Sequence, residues 1–257
     1  MLKIINLHFK INNKSLLDSL SIDIQPGELI AIIGPNGAGK STFLSALAQE
    51  IDAQWEDYSF KNKNISLYSK KEMPLHRGKF SQHQSSEINL KNNEIVLMGR
   101  YPYFNHLPNE KDLQIVDYWM HQTETAHLLD REYEQLSGGE KQRLHLARVF
   151  AQLDNEVENK LLLLDEPLNN LDITHQFNTL QLIKEFTRKN HTALVVLHDL
   201  NIATQFADRL ILLNNGKIDS FDTAEKVLTQ EKISKVYKYP CNIIHHPKTQ
   251  QPIIVFG

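Results

Sequence analysis

The chain has 257 residues, 41% of them hydrophobic, and a formal net charge of −3. This length and apolar content suit a large globular domain and exclude intrinsic disorder as the main state, while the missing basic excess argues against a nucleic-acid partner. The longest apolar runs, residues 29–33 and 193–197, are far shorter than the roughly 20 residues that a membrane-spanning helix requires.

The first elements predict antiparallel strands followed by a buried strand. Residues 1–10 lack the apolar segment of a secretion signal, so we expect no export signal. Residues 20–24 alternate between apolar and polar side chains, as in a strand with one buried face. Pro26-Gly27 then marks a turn. The unbroken apolar run at 29–33 predicts a strand that is covered on both faces.

A glycine-rich segment follows this strand directly and precedes a helix-like stretch at residues 43–49. Its pattern, G-x-x-x-x-G-K-[ST], is typical of a loop whose backbone amides hold the phosphates of a nucleotide. Glycines allow the tight curl, and the helix N-terminus adds a partial positive charge. We expect Lys40 to face the β- and γ-phosphates and the Ser41 hydroxyl to bind Mg²⁺. The predicted loop comprises Gly34, Pro35, Asn36, Gly37, Ala38, Gly39, Lys40, Ser41 and Thr42.

Two later segments lack apolar strand patterns. Residues 52–80 are polar and rich in lysine, and we predict a strand-and-loop excursion there. Residues 87–135 contain helix-like stretches without a strand-like run. They predict a helical insertion between the first and second buried strands.

The segment Leu136–Arg143 reads Leu-Ser-Gly-Gly-Glu-Lys-Gln-Arg. Ser137 and Glu140 have the spacing of a capping box, which predicts that a helix begins here. An ordinary capped helix would explain these two residues but not the adjacent Gly138 and Gly139, because glycine weakens a helix. Glycines do make the amides of a helix N-terminus accessible, so this segment is a second candidate anion site.

A second apolar strand, residues 161–164, ends in Asp165 and Glu166. Ligands of open α/β sheets bind at the C-terminal ends of the strands. We therefore expect Asp165 to hold Mg²⁺, and Glu166, on the opposite side by strand alternation, to polarise an attacking water. Alone, such a pair more often caps a helix or lies in a loop; the phosphate loop favours the catalytic interpretation. A third apolar run ends before His198.

Together, the segments GPNGAGKST, LSGGEKQR, LLLLDEP and VLHD resemble the ATP-binding-cassette ATPases, in the family's order and over essentially the whole chain. The resemblance implies an α/β fold: a P-loop NTPase (RecA-like) core with an N-terminal antiparallel β subdomain and an inserted helical subdomain. Within a single ATPase domain, it places the core at residues 1–82 and 147–257 and the helical signature subdomain at residues 83–146.

The same resemblance implies a homodimer, arranged head to tail, that binds and hydrolyses two ATP molecules with Mg²⁺. Each ATP would lie between the phosphate loop of one subunit and Ser137, Gly138 and Gly139 of the other. Asp172 resembles the D-loop acid that contacts the dimer partner. His198 resembles the switch histidine that contacts the γ-phosphate.

Other positions resemble the family less completely. Gln82 is similar to the Q-loop glutamine that links Mg²⁺ or water to the membrane partner, and Gln84 is the competing choice. Ile11 stands where the family usually has an aromatic residue that stacks on adenine. The D-loop begins Leu168-Asn169 instead of the commoner Thr-Ser, a change that we expect to be tolerated.

The remaining segments resemble one group of importers. Val96–Pro102 is similar to the ATPases of iron-siderophore, cobalamin and haem importers, and the tail His246–Pro252 to those of haem importers. This implies haem as cargo, a separate integral membrane permease, and indirectly a periplasmic or surface substrate-binding protein. The location would be peripheral, on the cytoplasmic face of the inner membrane. Ferric siderophore or cobalamin import, and a soluble cassette protein acting on DNA or ribosomes, are the alternatives.

Overall fold

A computed structural model of the chain describes residues 1–12, 14–81, 90–129 and 131–257, so the predicted Gln82 and its alternative Gln84 lie outside the described residues. The elements of the first half are β1 (Leu2–Ile11), β2 (Lys14–Ile24), β3 (Leu29–Ile33), α1 (Lys40–Leu47), β4 (Asp57–Phe60), β5 (Lys63–Asn64), α2 (Met73–His76), β6 (Arg77–Phe80), α3 (Asn92–Leu97) and α4 (Glu110–Gln122). Those of the second half are α5 (Gly138–Leu153), β7 (Leu161–Leu164), α6 (Ile173–Arg188), β8 (Thr192–Val196), α7 (Leu200–Phe206), β9 (Arg209–Asn214), β10 (Lys217–Asp222), α8 (Ala224–Val227), α9 (Gln230–Tyr237), β11 (Cys241–His245) and β12 (Pro252–Phe256).

The central sheet has the strand order β10-β9-β3-β8-β7-β6, with β10 antiparallel to β9 and the other pairs parallel. In β3, residues 29, 31 and 33 pack into the core that α5, α6 and α7 cover, and residues 30 and 32 pack toward α1 and the N-terminal sheet. Both faces are thus buried, as the unbroken apolar run predicts. The N-terminal strands form the expected antiparallel sheet, in the order β2-β1-β4-β5.

The edge strand β6 lies within the polar segment predicted as an excursion. Gly78 and Phe80 are buried, with Gly78 against α5, while the charged Arg77 and Lys79 alternate with them and point the other way. Arg77 donates to the carbonyls of Leu47 and Ala48 at the end of α1, and Lys79 pairs with Glu50. The polar sequence can therefore form a strand of the central sheet, because its charged side chains bond to groups at the end of a helix.

The helical insertion has its own small hydrophobic core, formed by residues of α3, α4 and α5, with Leu128, Tyr133 and Leu136 from between α4 and α5. Leu144, Ala147 and Ala151 of α5 belong to it, whereas Val149 and Phe150 belong to the core of the central sheet. Helix α5 thus packs in both parts of the molecule. The proposed subdomain boundary at residue 146 falls inside this helix.

The segment Val96–Pro102 packs against the C-terminal end of α5. The Arg100 guanidinium is buried; its Nε lies 3.0 Å from Asp112 Oδ1, and its Nη1 donates to the carbonyls of Ala151 and Asp154 at 2.7 and 2.8 Å. These carbonyls lie at the C-terminus of α5, where a cation offsets the negative end of the helix dipole. The segment therefore has a structural role.

The tail His246–Pro252 joins β11 and β12 as the turn of an antiparallel hairpin. Strand β12 pairs with the side chain of Asn201 in α7: Asn201 Oδ1 accepts from the Ile254 amide at 2.8 Å, and Asn201 Nδ2 donates to the Ile254 carbonyl at 3.2 Å. The end of the chain thus holds the helix that follows His198. Across the four described ranges, no helix combines the length and apolarity needed to cross a membrane.

Candidate functional site

The glycine-rich loop lies between the C-terminal end of β3 and the start of α1. Gly34 has φ +145°, and a Cβ atom there would lie 2.1 Å from the Leu213 carbonyl oxygen. Only glycine permits this approach of the loop to β9. Helix α1 begins at Lys40, so its first amides have no partner within the helix and face the loop. The loop therefore combines the glycine curl and the helix N-terminus that the sequence predicts.

Lys40 is 6% exposed, and its ammonium lies folded against its own loop. Its Nζ atom donates to the carbonyls of Gly34 at 2.8 Å and Pro35 at 3.1 Å. Burial lowers the pKa of Lys40, and the nearby charges of Glu166 and Asp165 act in the opposite direction. A buried ammonium held only by carbonyls is ready to bind an incoming anion.

Asp165 and Ser41 meet although they are far apart in sequence. Asp165 follows β7 and is buried, and the Ser41 hydroxyl donates to its Oδ1 atom at 3.0 Å. Burial raises the pKa of Asp165, and the Ser41 hydrogen bond opposes this rise. A hydroxyl and a carboxylate side by side form a set of hard oxygen donors, which is the type that Mg²⁺ prefers. The pair therefore fits the predicted metal ion.

The next residue, Glu166, is held at three points. One carboxylate oxygen lies 2.6 Å from His198 Nε2, and the other accepts from Asn169 Nδ2 at 2.6 Å. Its backbone carbonyl accepts from Gln142 Nε2 at 3.0 Å. Glu166 has φ +52°, a left-handed conformation that is uncommon for a residue with a side chain. A cavity of about 140 Å³ opens beside Glu166, Asn169 and His198.

Sequence reasoning missed two of these contacts. Asn169 was visible only as a departure from the commoner Thr-Ser pair, and Gln142 only as a polar residue in the first turns of a capped helix. Neither pattern indicates a contact with Glu166, because the loop after β7 turns back onto α5 in a way that no local sequence signal predicts. Both amides help to fix the carboxylate in its place.

The predicted capping box at Ser137 is present. Ser137 Oγ accepts from the Glu140 amide, and Glu140 Oε2 accepts from the Ser137 amide. Ser137 and Gly138 are exposed at the tip of α5. A Cβ atom at Gly139 would lie 2.7 Å from the Asn170 carbonyl, so the helix packs directly on the loop after Glu166. The tip is thus accessible, and a helix N-terminus there favours negative charge.

The other predicted positions lie around this network. Asp172 is exposed and caps α6, where its Oδ1 atom accepts from the His175 amide at 2.9 Å. Ile11 is 49% exposed at the end of β1. The structure therefore brings Lys40, Ser41, Asp165, Glu166 and His198 together. It leaves Ser137, Gly138, Gly139 and Asp172 on exposed or partly exposed backbone.

A buried pair holds the turn before Ser137 against α5. Tyr133 and His145 are both buried, and the Tyr133 hydroxyl lies 2.7 Å from His145 Nε2. Burial, reinforced by the charges of Arg148 and Lys141, lowers the pKa of His145 from its ordinary 6.5 to about 3. His145 is therefore neutral in the folded protein at neutral pH.

This neutral histidine predicts a loss of stability in mild acid. Below pH 6.5 the unfolded chain binds a proton at His145 that the folded chain excludes. The contribution of His145 to the free energy of unfolding is therefore fully present above pH 6.5 and is lost as the pH falls toward 3. Between pH 7 and pH 5, the wild type should lose about 2 kcal/mol more unfolding free energy than His145→Gln. Urea unfolding at both pH values measures this, and equal losses would contradict it.

Comparison with known proteins finds a matching family and similar proteins. A family model described as ABC transporter matches residues 17–169. The hemin import ATP-binding protein HmuV of Vibrio parahaemolyticus is 41% identical over 249 residues, covering 96% of this chain and 94% of that protein. HmuV of Pseudomonas fluorescens is 38% identical over 255 residues, covering 99% of both chains.

Solved structures are similar over the same length. The inward-facing structure of a putative metal-chelate type ABC transporter matches with a TM-score of 0.81 and 27% identity, covering 100% of this chain and 97% of that one. A dimeric ATP-binding cassette in a post-hydrolysis state, bound to ADP and Pi, matches with a TM-score of 0.75 and 24% identity, over 87% and 98%. The second likeness supports the fold alone.

Proposed function

The chain belongs to the ABC transporter family, and on that premise we propose that it is the ATP-hydrolysing subunit that energises haem import through a separate membrane permease. The observation that carries the proposal is the contact network beside the phosphate loop, in which Glu166 meets His198 and Asp165 meets Ser41. The high identity to hemin import ATP-binding proteins over nearly the full chain supports the choice of haem.

The residues of the network take separate roles in this proposal. Lys40 and the amides of α1 bind the phosphates, because they combine a buried cation with a helix N-terminus. Glu166 accepts a proton from the attacking water, and His198 orients the Glu166 carboxylate and contacts the γ-phosphate. Ser41 and Asp165, with Gln82 on the resemblance alone, would hold Mg²⁺. When bound, the metal ion neutralises charge on the phosphates.

The proposed active unit is a head-to-tail homodimer. The tip of α5 is exposed, which supports contact with a nucleotide that lies in a partner subunit. Ser137, Gly138 and Gly139 would bind the γ-phosphate there, and Asp172 would contact the partner beside them. Two bound nucleotides then supply the negative charge that draws the positive phosphate loops and helix tips together.

The permease would dock at a groove of about 580 Å³ next to β6. Arg77 and Lys79 of β6 line this groove, and β6 is the last described element before Gln82. This neighbourhood supports Gln82 as the link between the nucleotide and the membrane partner. The chain would then be a peripheral protein on the cytoplasmic face of the inner membrane, with a substrate-binding protein on the other side.

The cargo is tested by reconstitution. We reconstitute the chain in proteoliposomes with the membrane subunit encoded by a neighbouring gene and with its substrate-binding protein. We expect ATP hydrolysis to be faster when haem is added, because cargo binding and ATP turnover are coupled. The measurement is phosphate release with haem, ferric siderophore or cobalamin. Stimulation by haem alone supports the proposal. Stimulation by siderophore or cobalamin instead would replace the cargo, and copurification with ribosomes or DNA would replace the transport role.

A further inference from the structure

Helix α5 contacts the loop that contains Glu166 at two places within one subunit. Gln142 is 9% exposed, and its Nε2 atom donates to the Glu166 carbonyl at 3.0 Å. One turn earlier, Gly139 lies so close to the Asn170 carbonyl that a Cβ atom would be 2.7 Å away. The first turns of α5 and residues 166–170 are therefore packed backbone against backbone and cannot move independently of each other.

The carbonyl that Gln142 binds belongs to a residue with an unusual backbone. Glu166 has φ +52°, and a left-handed conformation of this kind persists only where neighbouring contacts hold it. The same residue's carboxylate contacts His198 and Asn169. Rotation about the Glu166 N–Cα bond moves the side chain and the carbonyl together, so it would turn the carboxylate away from these partners. The amide of Gln142 thus helps to set the direction of the side chain.

The two ends of this contact face different nucleotides in the proposed dimer. The helix tip at Ser137 is five residues, or about 7.5 Å of helix, from Gln142 and would face the partner's ATP. The Glu166 carboxylate would face the ATP of its own subunit. A shift of the helix tip at one site is therefore passed through Gln142 to the catalytic group of the other site.

We propose that Gln142 is a positioning residue that couples the two ATP sites, by tying the helix that binds the partner's nucleotide to the backbone of Glu166. The inference rests on the proposed function, because it takes the helix tip as the ligand of the partner's γ-phosphate. Coupling of this kind is reciprocal for binding, so nucleotide at either site favours the ordered arrangement at both. A demonstrated change in coupling, and not proximity alone, is what tests it.

The first test is Gln142→Leu, which keeps the volume and removes the amide donor. We expect kcat for ATP hydrolysis to fall roughly tenfold, because a small misplacement of a catalytic group has a large effect on rate. We expect KM to stay within about twofold, because the phosphate-binding groups are untouched. The Hill coefficient of ATP hydrolysis should fall toward one, because nucleotide at one site no longer favours the ordered arrangement at the other.

A second variant and a matched control separate this role from general support of the loop. Gln142→Glu puts a carboxylate where the donor was, and its kcat should fall at least as far as that of Gln142→Leu. The control is Gln176→Leu. It removes an amide of α6 that donates to the Leu168 and Leu171 carbonyls, which belong to the same loop as Glu166. It loosens the loop without touching the contact to α5, so its kcat should stay within about threefold of the wild type.

The outcomes distinguish the inference from the proposed function. If the wild type hydrolyses ATP, Glu166→Gln does not, and both Gln142 variants turn over at the wild-type rate, the coupling role is wrong and the ATPase assignment stands. Equal losses in Gln142→Leu and Gln176→Leu would also overturn it, because loop support would then explain both. If the wild type itself does not hydrolyse ATP, the proposed function fails first.

Discussion

Glu166→Gln should lower kcat for ATP hydrolysis by about 10²- to 10⁴-fold, the usual contribution of a general base. The amide keeps the shape of the side chain but cannot accept a proton from water. Its contacts to His198 and Asn169 lie on the two carboxylate oxygens, and the phosphate loop is untouched. ATP binding and ATP-driven dimerisation should therefore persist. Phosphate release and light scattering measure the two properties on the same sample.

The control for this prediction makes the same chemical change elsewhere. Glu185 is exposed on α6, and Glu185→Gln should hydrolyse ATP at the wild-type rate. Brisk turnover by Glu166→Gln would show that another group accepts the proton. Failure of Glu166→Gln to dimerise with ATP would instead show that the carboxylate is needed for assembly.

Lys40→Ala should weaken ATP binding by about 30- to several-thousand-fold. Removal of one partner from a close, buried charge pair costs about 2–5 kcal/mol, and 1.4 kcal/mol is a factor of ten in affinity. The ammonium is already desolvated and held by the carbonyls of Gly34 and Pro35, so it binds phosphate without a large new cost of dehydration. Isothermal titration calorimetry with ATP measures the effect.

Lys71→Ala is the matched control, because Lys71 is exposed next to α2. Its affinity for ATP should equal that of the wild type, and circular dichroism should show that both variants are folded. Undiminished binding by Lys40→Ala would mean that the loop amides alone hold the nucleotide. The role proposed for the lysine would then be wrong.

Much of the core and of the site could be predicted from sequence because the signals are local. An unbroken apolar run predicts a strand buried on both faces, and β3, β7 and β8 are such strands. The glycine loop, the acids after β7 and the capping box of Ser137 each lie within a few residues. The glycine loop and the acids meet at one edge because the C-terminal ends of parallel strands share that edge.

The rest depends on distant contacts that leave no local pattern. Strand β6 is polar because Arg77 bonds to the end of α1, so its alternation does not reveal a core strand. The left-handed backbone of Glu166 and its bond to Gln142 need both the loop and α5 in place. The C-terminal hairpin is similar, since Asn201 gives no sign in sequence that it pairs with Ile254.

The position of β3 in the central sheet has a consequence during synthesis on the ribosome. Both of its neighbours, β8 and β9, are encoded far downstream of the phosphate loop. At about 5–20 residues per second, the nascent loop waits on the order of ten seconds before either neighbour emerges. Until then, its apolar strand is a bare edge that can aggregate. A chaperone that binds exposed apolar segments of nascent chains is thus the expected first companion of this polypeptide.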